Sequence, residues 1–166
     1  KVWHDPRGYF FESYRHDKFC EQVDHINWVQ DNESYSHFGT LRGLHYQLPP
    51  HAQSKLVRVV HGEVLDVAVD IRQHSATFGQ YVAVELSAHN KRQLFIPRGF
   101  AHGFVVLKDK TEFLYKTTDY FAPQHERCIR WDEPAIGIEW PIAQAPILSG
   151  KDQLGVALSE AEVFED

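Results

Sequence analysis

Period-two alternation is the feature that most restricts what this chain can fold into. The stretch LVRVVHGEVLDVAVDIR (residues 56–72) is rich in β-branched residues on both sides of Gly62, a hairpin-like signature. In its second half Leu65, Val67, Val69 and Ile71 share one face of a strand, while Asp66, Ala68 and Asp70 share the other. GQYVAVELSA (79–88) alternates again, with Val82, Val84 and Leu86 opposite Tyr81 and Glu85. KRQLFIP, HGFVVL, EFLYKTTDYF and RCIRW continue the series through short connections marked by Gly, Pro, Asn or Asp. Helix signals are confined to SYRHDKFCEQV near the start and LSEAEVF near the end. Short strands between tight turns imply an all-β sandwich or barrel, one antiparallel domain over residues 1–166.

Composition excludes several function classes. With 43% hydrophobic and 24% charged residues the chain can bury a substantial core without covalent staples. No apolar run approaches the roughly 20 residues that span a bilayer, and there is no signal-peptide pattern. Cys20 and Cys128 follow no framework spacing, which fits free thiols in a reducing cytoplasm. A formal charge of −6 argues against a nucleic-acid partner, whose phosphates need a basic face. It leaves room for a small phosphorylated ligand held by two or three basic groups.

Four stretches can carry chemistry. In RGLHYQLPPHAQSKLVRV (42–59), Arg42, His45 and Lys55 border an apolar strand. A lone histidine there is ordinarily a solvated surface group, but Arg42, His45, Tyr46 and Gln47 are crowded before a Pro-Pro pair. Such a cluster belongs in water or in a polar cavity. In PRGFAHGF (97–104), His102 sits between Phe100 and Phe104. In EFLYKTTDYF (112–121), Phe113, Tyr115 and Thr117 face one way and Leu114 and Lys116 the other; such tyrosines usually fill a core, although one facing a polar cavity can act as an acid. In LSGKDQ (148–153), Lys151 and Asp152 read as an ordinary solvated charge pair at a loop.

The spacing P-x-G-x-x-H in PRGFAHGF resembles the second motif of the cupin superfamily of small β-barrels. Metal-binding cupins use that histidine together with an H-x-H and a glutamate. Here the corresponding stretch reads His45-Tyr46-Gln47 with no glutamate following, so the motifs cannot assemble a three-His site and no metal is expected. More specifically, DPRGYFFES, QDNESYS, GTLRGLHYQ, SKLVRVVHGEVLDVAVDIR, FIPRGFAHGF, YKTTDY and LSGKD resemble, in order and over nearly the whole chain, the dTDP-4-dehydrorhamnose 3,5-epimerase family. The resemblance implies a cupin-like jelly-roll barrel of antiparallel strands with short flanking helices. It implies a homodimer that needs no cofactor and acts on a dTDP-linked 4-keto-6-deoxy sugar.

By the same resemblance His45 corresponds to the general base and Asp152 to the carboxylate that orients it. Tyr115 corresponds to the proton donor on the opposite face of the sugar, and Lys55 to the cation beside the developing enolate. Arg7, Glu12, Gln30, Asn32, Arg42, His102, Glu126 and Lys151 correspond to the lining of the nucleotide-sugar site, part of which the N-terminal segment of a partner subunit supplies. Phe121 follows Tyr120 where some relatives carry a second tyrosine. The alternatives are a single-site epimerase acting at C3 or C5 alone, a metal-dependent cupin enzyme, and a non-catalytic sugar-binding cupin.

The chemistry is compatible with these residue types. A C4 ketone acidifies the hydrogens at C3 and C5, because the carbanion is an enolate. Imidazole, with a reference pKa of about 6.5, is a suited base near neutrality, and a carboxylate on its other nitrogen fixes the tautomer. No dinucleotide fingerprint of the G-x-G-x-x-G kind is present, in keeping with a reaction that requires no redox cofactor.

Overall fold

The computed structural model describes residues 1–165. A small hairpin, β1 (Trp3–Asp5) and β2 (Gly8–Phe10), precedes the single helix near the start, α1 (His16–Gln22). There follow β3 (Gln30–Ser36), β4 (Leu41–Gln47), β5 (Lys55–His61), β6 (Glu63–Asp70), β7 (Tyr81–Ser87), β8 (Gln93–Ile96), β9 (Phe100–Val106), β10 (Thr111–Thr117) and β11 (Glu126–Cys128). The C-terminal segment carries one short helical turn, α2 (Gly150–Gln153), and a 3₁₀ turn at Leu158–Glu160, which is all that forms in the stretch LSEAEVF.

Apart from the β1-β2 hairpin, the strands make two antiparallel sheets, ordered β3-β10-β5-β8 and β11-β4-β9-β6-β7. Residues 56–72 therefore do not form a hairpin. β5 pairs with β10 and β8, whereas β6 pairs with β9 and β7, so the chain changes sheets at Gly62. Gly62 has φ +82°, and a Cβ there would stand 2.1 Å from Thr111 Oγ1, so only glycine makes the corner. Local alternation marks both strands but contains nothing about which partner each will choose.

Core packing explains the pattern of β6. Val57 and Val59 of β5, Val64 and Ala68 of β6, Leu86, Ile96, Phe104, Val106 and Phe113 form one buried cluster between the sheets. Leu44, Tyr46, Val67, Val69, Ile71 and Ala101 form a second, covered on the far side by Ile129, Ile136 and Phe164 of the C-terminal segment. The five-stranded sheet is thus buried on both faces, each large apolar side chain removed from water contributing about 1.5–3 kcal/mol. The purely apolar parity of β6 faces the C-terminal cover. The parity with Asp66 faces the space between the sheets, and Asp66 has no solvent exposure. Val82, expected to share an apolar face with Val84 and Leu86, is 55% exposed on the outermost strand of its sheet.

Candidate active site

Between the sheets, where the apolar cluster stops, lies a cavity of about 420 Å³ lined by both sheets and by residues 149–152. Gln30 and Asn32 come from β3, Arg42 and His45 from β4, Lys55 from β5, His102 from β9, Tyr115 from β10 and Glu126 from β11; Lys151 and Asp152 come from α2. Ten of the twelve residues singled out from the sequence therefore meet in one place. Arg7 and Glu12 do not line this cavity: Arg7 is bound to Asp5 in the β1-β2 hairpin, and Glu12 is paired with Arg15.

A bulge puts Arg42 and His45 on the same wall. Strict alternation sends residues three apart to opposite faces, yet Arg42 pairs with Phe104 and His45 with His102, three steps on β4 against two on β9. The extra residue restores a common face. Gly43 makes it feasible: at φ +134° its position would drive a Cβ to 2.5 Å from the Gly103 Cα. The same distortion aims the Gly43 N–H at Asp152 Oδ1, 3.0 Å away.

Asp152 is the most heavily supported group in the site. His45 Nε2 donates to its Oδ1 at 2.7 Å, while the Ser149 hydroxyl and N–H donate to Oδ2 at 2.6 and 3.1 Å. Ser149 and Asp152 form a capping box on α2, the S-x-x-D pattern that SGKD spells out. Lys151 and Asp152 are consequently not a solvated charge pair: Lys151 bonds Glu126, and Asp152 is 3% exposed. Burial opposes ionisation of Asp152, but the bonds from His45, Ser149 and Gly43 outweigh it and hold the carboxyl well below the usual carboxylate range. An ionised Asp152 has only acceptors, so the His45 proton sits on Nε2 and the lone pair on Nδ1. That nitrogen makes no hydrogen bond among the described residues.

The opposite side of the cavity holds Lys55 and Tyr115, with the ammonium 6.0 Å from the ring centroid. Burial lowers Lys55 to about 8, against the opposing fields of Asp66 and Glu126. Burial raises Tyr115, with Glu126 reinforcing and Arg42 opposing, so the phenol keeps its proton at neutral pH. His102 Nε2 bonds Asp66 Oδ2 at 2.9 Å, and Asp66 Oδ1 has no partner among the described residues. Asp66 was missed in the sequence, where it read as the polar side of a strand.

Gln47 occupies the place of the second histidine in a metal cupin. Its amide donates to the carbonyls of His51 and Tyr120 and accepts from the Ala122 N–H, so it staples two loops. Among the described residues, one group of donors has metal-ligand character, His45, Cys128 and Asp152.

Known proteins match this sequence and fold along nearly the whole chain. The family model described as dTDP-4-dehydrorhamnose 3,5-epimerase matches residues 1–160. The dTDP-4-dehydrorhamnose 3,5-epimerase of Pseudomonas aeruginosa is 58% identical over 99% of this chain and 91% of its own length, and that of Salmonella typhimurium 55% over the same shares. A crystal structure of dTDP-6-deoxy-D-glucose-3,5-epimerase from Legionella pneumophila, in complex with dTDP-4-keto-L-rhamnose, superposes with TM-score 0.94 and 48% identity, covering 98% of this chain and 86% of that one. A 3′-monoepimerase from Streptomyces bikiniensis, in complex with dTDP-quinovose, superposes with TM-score 0.90 and 33% identity, covering 96% and 81%. The antiparallel cupin-type fold is shared, and with it the likeness over nearly every residue: the chain belongs to the dTDP-4-dehydrorhamnose 3,5-epimerase family of isomerases.

Proposed function

We propose that the protein is a dTDP-4-dehydrorhamnose 3,5-epimerase that converts dTDP-4-dehydro-6-deoxy-D-glucose to dTDP-4-dehydro-L-rhamnose. The observation that carries the reading is the His45–Asp152 dyad, its free ring nitrogen set in the same cavity as Lys55 and Tyr115. His45 Nδ1 takes the proton from the carbon beside the C4 ketone. Asp152 stabilises the imidazolium that forms, as a carboxylate does in hydrolase triads. Lys55 lies against the C4 oxygen and stabilises the enolate, a contribution of about 2.7–4 kcal/mol for a well-placed donor. Tyr115 returns a proton to the other face, which inverts the carbon, and the cycle repeats at the second carbon. Arg42 and Lys151 supply cations for the diphosphate, with Gln30, Asn32, His102 and Glu126 completing the polar lining.

The protein acts as a homodimer in this reading. Arg7 and Glu12 lie on the N-terminal segment away from this chain's own cavity, and that segment reaches the partner's site. A cytoplasmic enzyme with two free thiols, Cys20 and Cys128, fits the same picture.

The 3′-monoepimerase superposes nearly as well as the double epimerases, so the test must separate the two carbons. An NMR time course in D₂O with dTDP-4-dehydro-6-deoxyglucose and excess chelator is expected to show deuterium entering at both C3 and C5. Label at one carbon alone would place the enzyme with single-site relatives. Normal turnover by His45→Ala would rule out His45 as the base.

A further inference from the structure

Cys128 has no part in the proposed reaction, yet it stands beside the catalytic dyad. It pairs directly with His45 across β11 and β4, which puts the two side chains on one face as near neighbours. Its Sγ has only a weak bond to the Ile129 carbonyl at 3.5 Å. One ligand atom each from His45, Cys128 and Asp152 lies within 4.8 Å of the others.

We propose that His45, Cys128 and Asp152 form an inhibitory binding site for a thiophilic divalent cation such as Zn²⁺ or Cd²⁺. Zinc holds sulfur at about 2.3 Å and nitrogen or oxygen at about 2.0–2.2 Å, so the three donors, within 4.8 Å of one another, draw closer together to enclose the ion. A sulfur, a nitrogen and an oxygen suit zinc and cadmium and disfavour magnesium or calcium. Three protein ligands leave a fourth position for water. Burial, reinforced by the carboxylates of Asp152 and Glu126, disfavours a bare thiolate at Cys128, and the same two carboxylates favour a cation there. Gln47, committed to its loops, takes no part, so this is a different donor set from the H-x-H arrangement of metal cupins.

Binding releases one proton, from the thiol. At His45 either mode removes the base: coordination at Nδ1 takes the lone pair, and coordination at Nε2 shifts the ring proton to Nδ1. The inhibition arm rests on His45 being the base, whereas the binding arm does not.

The test uses purified protein stripped with chelator, desalted and titrated with CdCl₂. The ultraviolet thiolate-to-cadmium charge-transfer band is followed alongside epimerase activity, and ZnCl₂ is used in a parallel activity titration. The expected result is a band that saturates as activity is lost, both reversed by EDTA. Cys128→Ser and Cys128→Ala should keep metal-free activity, lose the band and resist inhibition about 10- to 100-fold or more, at least the loss seen when a mere outer partner of a metal ligand is removed. Cys20→Ser is the control, because Cys20 has its own imidazole neighbour in His16, with Sγ 3.5 Å from Nε2. Absence of any band in the wild type overturns the proposal. So does a band that follows Cys20 rather than Cys128, or unchanged inhibition in both Cys128 variants. A band with no effect on turnover would overturn the inhibitory role, and it would count against His45 as the base.

Discussion

Two histidine–aspartate pairs stand side by side at the cavity, His45–Asp152 and His102–Asp66, with His45 and His102 set opposite one another by the register of β4 and β9 and Asp66 buried behind His102. Their hydrogen bonds are nearly equal, 2.7 and 2.9 Å. Their surroundings are not. Asp152 collects donors from His45, Gly43 and the Ser149 turn, and is held firmly as an anion. Asp66 has one donor, His102, and an unpartnered second oxygen; burial raises it, opposed by His102 and Lys55, and burial lowers His102 in turn. The difference teaches that a His–Asp contact alone does not define a base. The number of donors on the carboxylate decides whether the imidazole is given a fixed tautomer and a stable counter-charge.

Removing the anion from the well-supported pair should produce the largest effect. Asp152→Asn replaces one acceptor oxygen by an amide that faces donors, and it no longer requires the His45 proton on Nε2. Turnover is expected to fall by about 10⁴-fold, the loss found for the analogous change in a hydrolase triad, with dTDP affinity retained by calorimetry. A loss of less than tenfold would break the argument from donor number.

Tyr115→Phe tests the opposite wall and should lower turnover by about 10²–10⁴-fold. Because His45 and Lys55 are untouched, solvent deuterium should still exchange into the substrate while inverted product fails to accumulate. Loss of exchange in step with turnover would mean that Tyr115 takes part in proton removal as well.

Asp66→Asn breaks the weaker pair. Losing one hydrogen bond to a charged group is worth about 1.5–3 kcal/mol, or roughly 10–100-fold. The drop should fall on kcat, since Asp66 is buried behind His102 and does not line the cavity. A loss as large as that of Asp152→Asn would show that the two pairs are equivalent, and Asp66→Ala with intact folding would confirm which one the reaction needs.

What the sequence made legible was whatever is local. The strands of residues 56–72 and 112–117 follow from alternation, and α1 falls within the weak helix signal of SYRHDKFCEQV. The change of sheet at Gly62 was not legible, because a corner and a hairpin look alike until the partner strands are known. The bulge at Gly43 was equally hidden, since alternation alone separates Arg42 from His45. Asp152 carried a readable cue in the capping pattern of SGKD, but its bond to a histidine 107 residues away is purely tertiary. Asp66 was invisible for the opposite reason: a polar residue on an alternating strand ordinarily faces water, and here that face lines the interior. The family resemblance picked out ten residues that the fold brings to one cavity, whereas Arg7 and Glu12 lie outside it.

The smallest expected effect concerns Lys55, whose charge interacts with Asp66 of the weaker pair. Burial sets it near 8, opposed first by Asp66 and then by Glu126. Lys55 serves the enolate only as a cation, so it is active below that value and fails as pH rises through it. The kcat/KM profile, which reports the free enzyme, should therefore carry an alkaline limb near pH 8. Removing a neighbouring negative charge makes the ammonium harder to keep, which moves the limb to lower pH. Asp66→Asn should move it further than Glu126→Gln, because Asp66 is the stronger of the two fields. A limb that shifts upward, or one indifferent to both substitutions, would mean that the alkaline ionisation belongs to a group other than Lys55.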